Sequence, residues 1–263
     1  MNIKKIKSTI CILTAGVGSR MGIYSDIINK SLLPIEGKAA ISHIIENFNI
    51  KSTFVIGLGY KSDQVKNYLN IAHPKHNFVF VKINNYNGEN SGPGLSLYKC
   101  KKYLNKDFFF ISCDTLLNKK NLLKINLNEN FVGTYPVKSK LNHYCNFILE
   151  KNKVIDIYDK KIPPKNKRNV SFIGFCYIKD HIIFWKSLSK NFLIKNEMQI
   201  SNGFIDLIKK NLLISKTIKW IDLGNYTLYK NYVNKNLKYD FSKNDLFIYF
   251  INKKVIKFNT FSE

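Results

Sequence analysis

The sequence predicts an α/β fold: a mixed, mostly parallel central sheet with helices on both faces. Strand-like and helix-like segments alternate four times between residues 9 and 113, the pattern of a parallel sheet covered by its connecting helices. The last strand of that series, "FFFISC" at Phe108–Cys113, reads as apolar throughout and therefore as central. A chain of 263 residues with 45% hydrophobic side chains is long enough to bury a sizeable core in one large domain.

Thr9–Leu13 reads as a buried strand running into a glycine turn. Ala39–Phe48 has helical spacing, with Ile41, Ile44, Ile45 and Phe48 on one side. Thr53–Gly57 is a second strand, Asp63–Leu69 a second helix, Phe78–Ile83 a third strand and Leu95–Leu104 a third helix. Beyond a soft division near residue 120 the chain becomes strand-rich. Phe131–Val137, Asn146–Glu150, Val154–Tyr158 and Ser171–Ile178 read as strands, with Lys151-Asn152 as a hairpin turn. His181–Leu188 and Phe204–Leu212 read as helices, and Ile218–Trp220 as a short strand ending at Asp222. The segments 246–251 and 255–258 suggest a terminal hairpin. Such a hairpin would pack on this domain or on a second subunit, the latter giving a homodimer.

The formal charge is +24, but only Arg20 and Arg168 are arginines, so 40 of the 42 basic residues are lysines. Lys, Asn and Ile are the residues that an AT-rich genome supplies in excess. The lysines are scattered rather than gathered in a stripe, which speaks against a nucleic-acid partner. The positive field would still draw phosphorylated ligands. No apolar run approaches the roughly 20 residues of a membrane span. The five cysteines are odd in number and form no CxxC pair, which suits reduced thiols in a cytoplasmic protein. His73 and His76 flank Pro74-Lys75 in what reads as a solvated loop.

Chemistry concentrates in a few stretches. In "CILTAGVGSRM", Cys11–Met21, a strand ends in small residues at the carboxyl edge of the sheet, where open α/β sheets bind ligands. Gly16 and Gly18 let the backbone approach phosphate oxygens, and Arg20 offers a charge-assisted contact. Ten residues on, Lys30 opens "KSLLPI" ahead of a helix. Asp114 directly follows the apolar strand in "FFFISCDTLL", and Asp222 follows another in "KWIDLGNYTLY". "NNYNGENSGPGLSLYKC" forms a glycine-bearing loop between the third strand and third helix.

The assembly A-G-x-G-[ST]-R, followed after ten residues by K-x-L-L-P-I, resembles the signature of the NTP-dependent nucleotidyltransferases, which include sugar-phosphate nucleotidyltransferases and phosphocholine cytidylyltransferases. The resemblance is sharpest over these motifs and extends more weakly from residue 8 to about residue 235. It implies a glycosyltransferase-A-like, Rossmann-related fold. Within residues 1–240 it implies a nucleotide-binding half, 1–120, and an acceptor-binding half, 121–240. Thr14, Ala15, Gly16, Val17, Gly18 and Ser19 then correspond to the nucleotide-phosphate loop, Arg20 to the arginine on the outgoing pyrophosphate, and Lys30 to the lysine at the reacting phosphates. Asp114 and Asp222 correspond to the ligands of Mg²⁺, which takes few carboxylates and completes its shell with water and phosphate oxygens. Asn90, Ser91 and Gly92 become candidates for contact with the base, with Gly92 and Gly94 holding the loop close to the ring.

The chain departs from the sugar enzymes at "IYDKKIPP", where they carry E-K-P. Lys160 or Lys161 can serve the phosphate role there, while Asp159 replaces the Glu only approximately. The Asn90-Ser91 pair is closer to the phosphocholine cytidylyltransferases. The resemblance thus implies a cytoplasmic enzyme that transfers a nucleoside monophosphate, CMP above all, from an NTP to a phosphorylated small molecule for capsule or surface polysaccharide. A UTP- or dTTP-dependent sugar-1-phosphate nucleotidyltransferase is the alternative. Segment 241–263 resembles the opening strands of a kinase-like phosphotransferase domain, so a further domain downstream is a second expectation beside the hairpin.

Overall fold

In the computed structural model, residues 3–117, 122, 125–190, 192–236, 250–251 and 254–255 are described. The first half supplies β1 (Thr9–Leu13), β2 (Pro34–Ile35), β3 (Lys38–Ala39), β4 (Thr53–Leu58), β5 (Asn77–Lys82), β6 (Phe108–Ser112) and β7 (Thr115–Leu117). The second half supplies β8 (Asn130–Tyr135), β9 (Cys145–Glu150), β10 (Lys153–Asp159), β11 (Asn169–Ile178), β12 (Leu193–Ile194), β13 (Glu197–Met198), β14 (Leu213–Thr217) and β15 (Trp220–Asp222). Nine of these form one sheet in the order β5-β4-β1-β6-β11-β8-β14-β10-β9. The sheet is continuous across the division near residue 120, because β6 pairs with β11. It is mixed: β11 and β10 run against the other seven strands, and β5, β4, β1 and β6 form an all-parallel half.

Side chains alternate between the faces of a strand, and each face of this sheet is buried under helices. Ile10, Ile12, Phe54, Ile56, Phe109 and Ile111 point into one core with Ile41, Ile44 and Ile45 of the helix Ala40–Ile45 and Val65 and Leu69 of the helix Ser62–Ala72. Cys11, Val55, Phe108 and Phe110 point into the other, against Leu97 of the helix Pro93–Lys99 and Phe184, Trp185 and Leu188 of the helix His181–Leu188. β6 lies inside the sheet and contributes to both cores, which explains its unbroken apolar character.

The strands expected from the sequence are present, with ends moved by a residue or two, and Lys151-Asn152 turns the hairpin β9–β10 with Lys151 at φ 54°. Three expected helices are shorter: the one expected over Ala39–Phe48 spans Ala40–Ile45, Pro93–Lys99 continues as the separate turn Lys101–Tyr103, and Ile205–Lys209 follows the turn Ile200–Phe204. Strand β14 lies just past the end of the helix expected over Phe204–Leu212. Its sequence, LISKT, carries only a weak apolar signal, and the strand exists because it pairs with β8 and donates Ser215 N–H to Asn152 O at 2.8 Å. His73 is buried rather than solvated, with Nε2 2.7 Å from Ser42 Oγ. Of the expected terminal hairpin, the pairs Phe250–Val255 and Ile251–Lys254 are described, and the rest of 237–263 lies outside the described residues.

One long strand ties the two halves together. The first residues of β11, Asn169–Ser171, pair with β9, and the last, Phe175–Ile178, pair with β6. The change of partner occurs at Gly174, which has φ +77°, where a Cβ would stand 2.6 Å from Ser112 Oγ and 2.9 Å from Thr115 Oγ1. Next to it, Thr115 Oγ1 donates to Ile173 O at 2.7 Å. This close approach seats the segment that carries Asp114. Gly174→Ala is expected to lose at least about 1–2 kcal/mol from the left-handed backbone alone, before any clash. Denaturant unfolding monitored by circular dichroism checks this, and an unchanged midpoint would show that the crossing tolerates a side chain.

Candidate active site

The site is built at the carboxyl edge of the parallel strands. β1 ends at Leu13, and Thr14 closes its end by sending both its N–H and its hydroxyl to Gly57 O, each at 2.9 Å. The glycine loop follows. A Cβ on Gly16 would meet nothing within 4 Å, so that face of the loop is open. Gly18 has φ +75° and lies over the stem of Lys30. Asn29 fixes the next turn. Its amide donates to Thr14 O at 2.9 Å and Tyr60 O at 2.7 Å, while Oδ1 accepts from Ser31 N–H at 3.0 Å and Ser31 Oγ at 2.8 Å. The turn Lys30–Leu32 is therefore clamped to the end of β1.

From that turn, Lys30 Nζ donates to Asp114 Oδ2 at 2.6 Å and to Gly224 O at 2.9 Å. Only 10% of the Lys30 side chain and 22% of the Asp114 side chain are exposed. Asp222 arrives through a second pairing. β15 lies antiparallel to β7 with Asp222 opposite Thr115, and Leu223 N–H donates to Asp114 O at 3.0 Å. Asp222 Oδ1 accepts from Gly224 N–H at 2.6 Å and Oδ2 from the Tyr144 hydroxyl at 3.1 Å. A glycine, a lysine and two aspartates from four separate stretches thus share one edge.

Electrostatics separate the two carboxyls. Burial opposes the charge on Asp114, but the ammonium and hydrogen bond of Lys30, with Arg20 behind them, hold it below the usual carboxylate range. Asp222 is pushed up, first by burial and then by the negative charge of Asp114. Cys113 is no nucleophile at neutral pH: burial, and then Asp114, raise its thiol to about 12. Burial and the neighbouring Asp222 likewise raise the Tyr144 phenol to about 12, so it keeps its proton.

A cleft of about 350 Å³ opens along this edge. Thr14, Ala15, Gly16, Val17, Gly18, Ser19, Arg20, Lys30, Ser91, Gly92 and Asp114 all line it. Asn90 does not: it has φ 58° and donates its N–H to Asn196 O at 2.9 Å, away from the cleft. Gly92 and Gly94 make a different close approach from the expected one. A Cβ on Gly92 would stand 2.6 Å from Met198 O, and one on Gly94 2.6 Å from Gln199 O, so both glycines seat the loop on the chain 197–199. Ser91 joins the same contact, accepting Met198 N–H at 2.8 Å while its hydroxyl donates to Gly88 O at 2.6 Å.

Of the residues expected to bind an acceptor, Lys160 pairs through Nζ with Glu197 Oε2 at 2.9 Å, and Glu197 lines the cleft. Asp159 accepts from Ser201 Oγ, and burial raises its carboxyl. Lys161 is exposed and its backbone carbonyl accepts from Asn146 Nδ2 at 3.0 Å. Sequence reasoning missed Asn29, Glu197 and Tyr144. Asn29 could have been found, since an Asn before a turn is a capping signal and it stands beside Lys30. Glu197 and Tyr144 reach the site only through tertiary contacts.

Among the described residues no three His, Cys, Asp or Glu side chains gather into a metal cluster. The pair Asp114–Asp222 nonetheless fits Mg²⁺. It offers hard oxygen donors from two adjacent carboxylates, and the upward push on Asp222 from Asp114 is a repulsion that a divalent cation would relieve.

A glycine loop, a lysine and paired aspartates thus stand at the carboxyl edge of such a sheet, and over part of its length the chain is similar to the NTP-dependent nucleotidyltransferases. Residues 10–130 match the sequence profile of the MobA-like NTP transferase domain. The chain is 26% identical over 218 residues to the bifunctional protein GlmU of Methanocaldococcus jannaschii, covering 81% of this chain and 50% of that protein. It is 25% identical over 223 residues to the GlmU of Methanococcus vannielii, covering 82% and 50%. The chain spans about half the length of these curated relatives. Among solved structures, a UDP-glucose pyrophosphorylase complexed with UDP-glucose superposes with a TM-score of 0.70 at 19% identity, over 88% of this chain and 98% of the other. The inositol-1-phosphate CTP transferase of T. maritima superposes with a TM-score of 0.64 at 14% identity, over 89% and 98%.

Asn29→Ala would strip partners from two carbonyls and one amide at the root of the site. Stability is expected to fall by about 1–3 kcal/mol for the unmade buried bonds. Turnover of folded protein should drop on the order of 10-fold to 100-fold as Lys30 loses its mooring. Denaturant titration and kinetics on the same preparation check both.

Proposed function

We propose that this chain transfers a nucleoside monophosphate from an NTP to a phosphorylated small molecule and releases pyrophosphate, with CTP as the donor and surface or capsule polysaccharide as the destination. The observation that carries the reading is the bridge from Lys30 to Asp114 and Gly224, with Asp222 beside it, at the end of an open glycine loop. Such a site suits two phosphates brought together. The acceptor's phosphate oxygen attacks the α-phosphorus, a new P–O bond forms, and the bond to pyrophosphate breaks. The nucleophile is already ionised at neutral pH, so no general base is required. The obstacle is repulsion between polyanions, and positioning with charge neutralisation must supply the rate.

The loop from Gly16 to Ser19 offers backbone N–H groups to the NTP phosphates. Lys30 holds the reacting phosphates in line. Arg20, exposed on the cleft wall, meets the charge that grows on the leaving pyrophosphate. Lys160, paired with Glu197 of the cleft wall, receives the acceptor's phosphate in this reading, with Asp159 and Lys161 flanking it in sequence. Asp114 and Asp222 would hold Mg²⁺, which supplies charge neutralisation between donor and acceptor phosphates.

The cytosine preference rests on Ser91. Its hydroxyl donates to Gly88 O and so keeps lone pairs to accept from cytosine's amino group, where uracil would present a second acceptor. The loop 84–94, seated on residues 197–199, is read as leaving room for a pyrimidine and not for a purine. The use of CTP by the structurally similar inositol-1-phosphate transferase is in keeping with this reading. The competing donor is UTP or dTTP with a sugar 1-phosphate, favoured by the likeness to UDP-glucose pyrophosphorylase. All five cysteines are free and no described helix is long and apolar enough to cross a membrane, in keeping with a cytoplasmic setting. A homodimer belongs to the same proposal.

Pyrophosphate release measured with four NTPs against a panel of phosphorylated acceptors tests the donor. CTP is expected to exceed UTP by at least ~10-fold in kcat/KM, the scale of one buried group left unpaired, with little use of ATP or GTP. A preference for UTP or dTTP would move the protein to the sugar-nucleotide alternative.

Asp114→Asn is expected to keep the fold and lose at least ~100-fold in turnover, as when a main electrostatic element is removed. Wild-type activity should vanish in excess chelator and return with Mg²⁺. Full activity of either the variant or the chelated enzyme would refute the cation's role.

A further inference from the structure

Asp222 stands on a weak local element. Among the described residues β15, three residues long, pairs only with the three residues of β7, outside the nine-stranded sheet. A carboxylate at the end of so short a ribbon needs outside support to keep one rotamer. Gly224 N–H, two residues on, fixes Oδ1 at 2.6 Å. The other oxygen is fixed from 78 residues away by the Tyr144 hydroxyl at 3.1 Å.

The backbone of Tyr144 is itself anchored. Its N–H donates to Leu141 O at 3.1 Å, and its carbonyl accepts the Lys160 N–H at 2.9 Å and Asn146 Nδ2 at 3.2 Å. Asn146 is fully buried and also donates to Leu141 O and Lys161 O. The phenol is thus carried on a rigid corner where β9 begins. A carboxylate oxygen has two acceptor sites, so each oxygen of Asp222 keeps one free after these bonds. Asp114 receives the matching support from Lys30.

We propose that Tyr144 is a positioning residue for Asp222, its phenol fixing the carboxylate so that Asp222 and Asp114 can share one divalent cation. The inference rests on the reading of the two aspartates as the cation site. Through the Lys160 N–H on its carbonyl, Tyr144 also joins the acceptor-side turn to that site.

Titration of the full chain with Mn²⁺ alone, followed by electron paramagnetic resonance of the free ion, tests it without turnover. Wild type is expected to take up one Mn²⁺ at a site that Asp222→Asn and Asp114→Asn abolish. Tyr144→Phe should bind that ion at least ~10-fold more weakly, in the range seen when a hydrogen-bond partner of a metal ligand is lost, with an unchanged thermal midpoint. Wild-type affinity in Tyr144→Phe, or a loss of affinity that tracks a fall in midpoint, overturns the role of Tyr144. If wild type binds no Mn²⁺, or both aspartate variants bind it normally, the cation reading fails and takes this inference with it.

Discussion

The ammonium of Lys30 holds the active edge together. It reaches Asp114 after β6 and the carbonyl of Gly224 after β15, joining parts of the chain 84 and 194 residues away. The pair is largely buried, so removing either partner would strand a charge in a poorly solvated place, a far larger disturbance than losing a surface ion pair. Everything else at the site is arranged around that contact. Asn29 moors the lysine's turn to β1, Gly174 lets β11 close against the segment of Asp114, and the β7–β15 ribbon delivers Asp222.

The same contact explains how opposite tendencies coexist in a small space. Two aspartates side by side repel, and burial penalises both. Lys30 and Arg20 compensate at Asp114, which stays ionised, while Asp222 carries the residual strain as a raised carboxyl. Charge here is imbalanced by design of the local contacts and not by the net charge of the chain. The +24 of the whole sequence lies mainly in scattered lysines, which create a field that favours phosphorylated ligands but do not define a site.

A related rule holds across the cleft. Lys160 is paired with Glu197, which lines the cleft and whose carboxyl that lysine and Gln199 hold below its usual range against the cost of burial. Gly92 and Gly94 bring the loop 84–94 onto residues 197–199, so Ser91 and Glu197, which both line the cleft, belong to one packed unit.

By itself the sequence determined the sheet's parallel half, the central place of β6, and the position of the glycine loop, Arg20, Lys30, Asp114 and Asp222 at the ends of strands or just beyond them. These are legible because period-two and apolar patterns report burial directly, and because a loop that follows a strand lies at the sheet's edge wherever the strand is placed. Only the tertiary structure decided β14, whose LISKT pattern is too polar to announce a strand until β8 offers it a ladder. It alone decided that Asn90 turns away toward Asn196, that Gly92 and Gly94 serve a chain contact, and that Tyr144 and Glu197 enter the site. Hydrogen bonds between residues far apart in the chain leave no periodicity in a sequence. They arise from how the strands are ordered in the sheet, and that order is fixed by packing two cores at once.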